Sequence, residues 1–152
     1  MNIELEHFRE QLSLMALEKE LSKLPQLEAP LVHTFSGGVY IRQMLIPRNS
    51  LIIGKRHRFE TCNILMEGTL LLYMGKDKEP QRIDGPFMFT SPPGTKKMAL
   101  CLDEAIFLNI HPTDKTDLAE IEKEFIIPDD EYLSEMQVHL EDKEKKLCLG
   151  AQ

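Results

Sequence analysis

The stretch from residue 31 to 112 constrains the fold more than any other part of the chain. It consists of short β-type runs with no helical segment between them. Eight runs stand out: Val39–Ile46, Ser50–Ile53, Cys62–Met66, Thr69–Met74, Gln81–Ile83, Phe87–Phe89, Lys97–Leu102 and Ala105–Ile110. They are rich in branched and aromatic residues, which suit a pleated, half-buried surface. Turn residues separate them at Pro47-Arg48-Asn49, Glu67-Gly68, Gly75–Lys78, Asp84-Gly85-Pro86, Pro92-Pro93-Gly94 and Asp103-Glu104. Glycine admits left-handed backbone and proline fixes φ, so these positions reverse the chain. Short connections without crossover helices favour antiparallel pairing. The expectation is a mainly β unit, a small antiparallel barrel or sandwich.

The flanks carry a different period. Residues 3–24 read as an amphipathic helix, with Phe8, Leu12, Met15, Leu14, Leu17, Leu21 and Leu24 forming a broad stripe. Glu4 and Glu6 at one end and Lys19 and Lys23 at the other suit the helix dipole, and Pro25 stops the run. After His111-Pro112 the helical period returns. Asp117-Leu118-Ala119-Glu120 resembles a capping box that opens a short helix with Leu118, Ile121 and Phe125 inward. Pro128 separates it from a second helix near 130–145, with Leu133, Met136 and Leu140 on one face. The organisation expected is a helix and linker over 1–30, a β-barrel over 31–112 and an acidic helical segment over 113–152. In 152 residues there is room for one ordinary domain with appendages.

Charge follows the same division. Residues 30–112 hold ten bases and seven acids, whereas 113–152 hold twelve acids and five bases. The net charge of -7 therefore hides a basic middle between acidic ends. Ten bases spread over several strands do not make a stripe, so nucleic-acid binding is not expected. No apolar run reaches the roughly 20 residues that cross a bilayer, and the acidic residues of Met1–Leu14 are unlike a signal or transit peptide. Cys62, Cys101 and Cys148 lack metal-site spacing and are odd in number, which suggests reduced thiols and a cytoplasmic setting.

Gly54-Lys55-Arg56-His57-Arg58-Phe59-Glu60-Thr61-Cys62-Asn63 leads on to Gly68, and Gly85 leads on to Pro92-Pro93-Gly94. This pair resembles the two motifs of the cupin superfamily, a jelly-roll β-barrel. The resemblance implies two histidines and a carboxylate in the first motif, and a histidine three residues after the glycine of the second. Here His57 stands at the second histidine, and Lys97 stands where the later histidine would be. The string from Gly54 to Leu65, with Ser91–Lys97, Asn109–Leu118 and Ile127–Glu131, also resembles small cupin-like proteins of phage and prophage genomes. That group implies a histidine after Glu60, and Thr61 occupies its place.

Two pictures of the interior stay open. If His57, Thr61 and Asn63 face inward with Tyr40, Arg42 and Lys97, they line a pocket for a small polar or anionic ligand. Alternatively Met, Phe and Leu fill the interior and Lys97 snorkels outward. The remaining metal candidates are His57 and Glu60; Lys97 repels a cation, and strand alternation turns Glu60 away from His57. His7, His33, His111 and His139 read as surface residues. No Asp is placed to orient His57, so no catalytic residue is assigned. The expectation is a non-catalytic cupin-like protein, cytoplasmic and homo-oligomeric, that binds its ligand with neither metal nor cofactor. A phage structural or assembly protein built on a barrel scaffold, found in the virion, is one alternative; a degenerate metal enzyme is the other.

Overall fold

The computed structural model describes residues 3–73 and 79–150. The last residue of the expected run Thr69–Met74 and the expected turn Gly75–Lys78 lie outside the described residues. Among the described residues seven strands are defined: β1 (Leu31–Ser36), β2 (Val39–Ile46), β3 (Leu51–Ile53), β4 (Thr61–Tyr73), β5 (Gln81–Asp84), β6 (Phe87–Ser91) and β7 (Met98–Pro112). The helices are α1 (Ile3–Leu21), α2 (Leu118–Phe125) and α3 (Asp129–Gly150). The fold is mainly antiparallel β, with one helix before the sheet and two after it.

Two differences from expectation share one cause. Four of the expected short strands are two long ones, β4 and β7, each bent in its middle. Their register shifts between Leu65 and Leu70, where the turn-like residues Glu67-Gly68 meet Asp103-Glu104. Gly68 sits at φ +91, and a Cβ there would stand 2.3 Å from the Glu104 carbonyl oxygen and 2.6 Å from the Ala105 Cα. Only glycine fits where the two strands cross so closely.

On one side of this corner β1, β2, the second half of β7, the first half of β4 and β6 pair in sequence. On the other side lie β3, the first half of β7, the second half of β4 and β5. Leu65, Leu70, Leu72, Ile83, Cys101, Ala105 and Ile46, drawn from both sides, form one buried cluster. The sheet thus folds over on itself into two layers. The expected barrel does not close: among the described residues no pairing joins the edge strands β1 and β6 of one layer to β3 and β5 of the other. The strand β1 escapes the sequence pattern because almost all of it is exposed, so no apolar alternation marks it.

The helices dock through fewer apolar contacts than their stripes suggest. α1 ends at Leu21, three residues short of expectation, where Lys23 and Leu24 turn back with N–H bonds to Glu20 and Leu21. Leu14 is buried, but Leu12 and Leu17 are each 37% exposed, and the most buried residue of α1 is Gln11. Asp117 caps α2, accepting a 2.9 Å bond from the Glu120 N–H, and Ile121 and Phe125 are buried. In α3 the buried residue is Tyr132 rather than the adjacent Leu133, because its ring lies 3.7 Å beneath the Arg56 guanidinium and beside Phe8. Among the described residues no helix is long and apolar enough to cross a membrane.

Candidate functional site

A cavity of about 450 Å³ opens between the sheet and α2. Tyr40, Arg42, Met44 and Ile46 face it from β2, as strand alternation predicts. Asn109, His111 and Phe107 face it from β7, and Ile121 and Phe125 cover it from α2. His57 and Lys97 enter from loops.

The loop carrying His57 is held by its backbone. The Arg58 N–H donates to the Phe125 carbonyl at 2.7 Å and the Ile127 N–H to the Arg56 carbonyl at 2.9 Å, so residues 56–58 run as a short strand along 125–127. On the other side the Gly94 N–H donates to the His57 carbonyl at 2.8 Å. Gly94 adopts φ +75, a conformation that suits the glycine closing the Pro92-Pro93-Gly94 turn.

The side chain of His57 is fixed through Thr61. The Thr61 hydroxyl donates to the Phe59 carbonyl at 3.1 Å, so it accepts at 2.9 Å from His57 Nδ1. That tautomer leaves Nε2 without a proton. Burial, then His111, Lys97 and Arg42 nearby, push the His57 pKa down to about 3. His111 is 5% exposed, meets His57 edge to face at 5.2 Å between ring centres, and has its pKa pushed down to about 4 by burial and Arg42. Both imidazoles are neutral near pH 7. Tyr40 stacks between His33 and His111 and shares a 2.7 Å hydrogen bond with His33 Nδ1. Burial raises its pKa, so the phenol keeps its proton.

The cations of the cavity are less well matched. Lys97 Nζ donates to Ser91 Oγ and lies 5.2 Å from the Phe89 ring centre; burial pushes its pKa down to about 8. Burial likewise lowers the pKa of Arg42, partly offset by Tyr40 and Glu122. Among the described residues neither cation has a carboxylate within 4.0 Å. Glu122 also lines the cavity, but it is paired with Lys55.

The sequence-predicted site residues divide. His57, Lys97, Tyr40 and Arg42 line the cavity together. Thr61 and Asn63 do not line it. Thr61 acts through His57, and Asn63 is fully buried, donating to Ser91 Oγ at 2.6 Å and accepting from Asn109 Nδ2 at 2.7 Å. The strand begins only at Thr61, so alternation cannot be extended back to place His57 and Asn63 on one face. Glu60 is exposed, away from His57.

His33 and His111 correct the surface assignment made for both: His33 lies in β1, not near a helix, and each lines the cavity. His111 shares strand parity with Phe107 and Asn109, but that both histidines reach the cavity depends on which strands are neighbours. Among the described residues no three His, Cys, Asp or Glu side chains group to hold a metal. The imidazoles share the cavity with two unpaired cations, Arg42 and Lys97, while its acid Glu122 is paired with Lys55. Such a donor set does not fit a divalent ion.

No family model matches the chain, and no curated protein matches it. Solved structures do. A cupin-2 domain protein from Shewanella frigidimarina is 15% identical, with 64% of this chain and 92% of that one covered and a TM-score of 0.45. An RmlC-like cupin family protein with a double-stranded β-helix fold, from Methanocaldococcus jannaschii, is 15% identical over 59% of this chain and 85% of that one, at 0.44. The Clostridium difficile EutQ protein is 15% identical over 62% and 69%, at 0.48.

Proposed function

We propose that this chain is a non-catalytic, cupin-like binding protein that takes up a small anionic or polar ligand in the cavity without a metal. One observation carries the reading: Arg42 and Lys97 are both half-buried in one cavity, and among the described residues neither has a carboxylate partner. A buried cation costs free energy unless an anion or several hydrogen bonds offset it. Lys97 has one protein acceptor for three N–H donors, and no hydrogen bond of the Arg42 guanidinium is seen among the described residues. A bound carboxylate or phosphate would supply what both lack. With His57 and His111 neutral and Lys55 paired with Glu122, Arg42 and Lys97 are the uncompensated charges there.

Calorimetric titration with phosphate, acetate and glucose 6-phosphate, against glucose as the neutral control, tests this. At least one anion is expected to bind, and Lys97→Met and Arg42→Gln are each expected to weaken it tenfold or more. Equal binding of anion and neutral control, or indifference to both substitutions, would sink the reading.

A second reading rests on the edge strand β1. The edge strand β1 exposes Leu31, Val32 and Phe35, by 42%, 51% and 39%. An apolar unpaired edge invites pairing with a second copy. A homo-oligomer, or an assembly role of the phage type, would use it. Light scattering on Val32→Lys, with a fall in mass relative to the parent chain, would favour that reading.

A further inference from the structure

The cavity is polar at one end and apolar at the other, and the sequence writes this gradient twice. Inward residues of β2 run Tyr40, Arg42, Met44, Ile46. Across the ladder they face His111, Asn109, Phe107 and Ala105 of β7. Each pair of residues in this series is thus polar at the first two rungs and apolar at the last two. From Arg42 to Ile46 the strand advances about 13 Å.

The opposite layer continues the apolar end. Leu70 and Leu72 of β4 line the cavity and belong to the same buried cluster as Ile46. Met44, Ile52 and Phe107 pack against that cluster while remaining only partly buried, so part of their apolar surface faces the cavity. A sugar phosphate or a nucleotide would turn hydroxyls or ring nitrogens towards this end and find no donors or acceptors there. Burying unmatched polar groups is unfavourable, whereas each buried methylene is favourable.

Resting on the anion-binding reading, we propose that the ligand is an amphipathic organic acid. Its single anionic head lies between Arg42 and Lys97, and its aliphatic body lies along Met44, Phe107 and Ile52 towards Leu70. The head and body are recognised by different walls, so each contributes separately to affinity.

Calorimetric titration of the full chain with straight-chain monocarboxylates, butanoate to decanoate, and with the matching primary alcohols separates the two. Affinity is expected to rise about threefold to fourfold per methylene until the chain outgrows the cavity. The alcohols are expected to bind at least tenfold more weakly than the acids of equal length. Met44→Gln and Ile52→Thr, each checked by circular dichroism for an intact fold, are expected to flatten the chain-length dependence, weakening octanoate and decanoate several-fold more than butanoate. If affinity is flat with chain length while phosphate or glucose 6-phosphate binds in a Lys97-dependent way, the amphipathic proposal is wrong and anion binding stands. If alcohols bind as well as acids, or no anion binds, both are wrong.

Discussion

Lys96 and Lys97 are adjacent in sequence and opposite in circumstance. Lys96 is 4% exposed, with its Nζ donating to Glu18 and, at 3.1 Å, to Asp129. Beside it Arg56 is 1% exposed and well partnered: it donates to Asp129 at 2.7 Å, to Gln11 at 3.0 Å and to the Gly94 carbonyl at 3.2 Å, with Tyr132 under its guanidinium. Gln11 closes the cluster by accepting from the Lys96 N–H at 2.8 Å and donating to the Lys96 carbonyl at 3.3 Å. Lys97, one residue on, points into the cavity with a single hydroxyl as partner. The paired cluster clasps α1, α3 and two loops together; the unpaired cations face space. Buried charge that is satisfied marks structure, and buried charge that is unsatisfied marks a place for something else.

The largest expected effect comes from opening the clasp. Arg56→Met leaves Asp129 and Gln11 without their main donor and should cost roughly 3 kcal/mol, discounted from the fully buried case because Asp129 is 38% exposed. Urea denaturation would measure it; a loss below about 1 kcal/mol would show that the clasp does not hold the helices.

The neighbouring lysines give the direct contrast. Lys96→Met should destabilise by roughly 2 kcal/mol, while Lys97→Met should leave stability unchanged or raise it by up to about 1 kcal/mol, since it removes a desolvated charge with little to lose. Two losses of equal size would erase the distinction drawn between the two sites.

The cavity side also carries an acid sensitivity. His57 and His111 have folded pKa values near 3 and 4, below the ordinary value of 6.5, so the unfolded chain binds more protons between those limits. Their contribution is fully present above about pH 6.5 and is lost as pH falls towards 4. From pH 7 to 5 the loss should be on the order of 1–2 kcal/mol per imidazole. His57→Gln should make the urea midpoint less dependent on pH over that range; an unchanged slope would place His57 outside the neutral cluster.

Much of the fold was legible because it is written in local signals. Val39–Ile46 is an unbroken run of β-forming residues stopped by Pro47, Asp117 caps as its motif suggests, and Gly68 marks the crossing of two strands. The same local reading mistook bends in β4 and β7 for breaks, since a glycine that permits a turn also permits a fold in a continuous strand. It missed β1, whose exposure leaves no pattern. In the site, Tyr40, Arg42, His57 and Lys97 were recognisable from strand parity and motif position. His33 and His111 were not, because their place depends on which strands neighbour each other. Gln11, Arg56 and Asp129 were invisible for the same reason: they are far apart in the chain, and only tertiary packing brings them together.

The three residues 56–58 connect both regions. Arg56 enters the clasp, His57 the cavity, and Arg58 pairs with Glu131 on α3 at 2.7 Å. All three are strung along one extended segment whose backbone is tied to residues 125–127. A substitution within this segment alters one role, but an inserted or deleted residue would exchange them, sending an imidazole into the ion cluster and a guanidinium into the cavity.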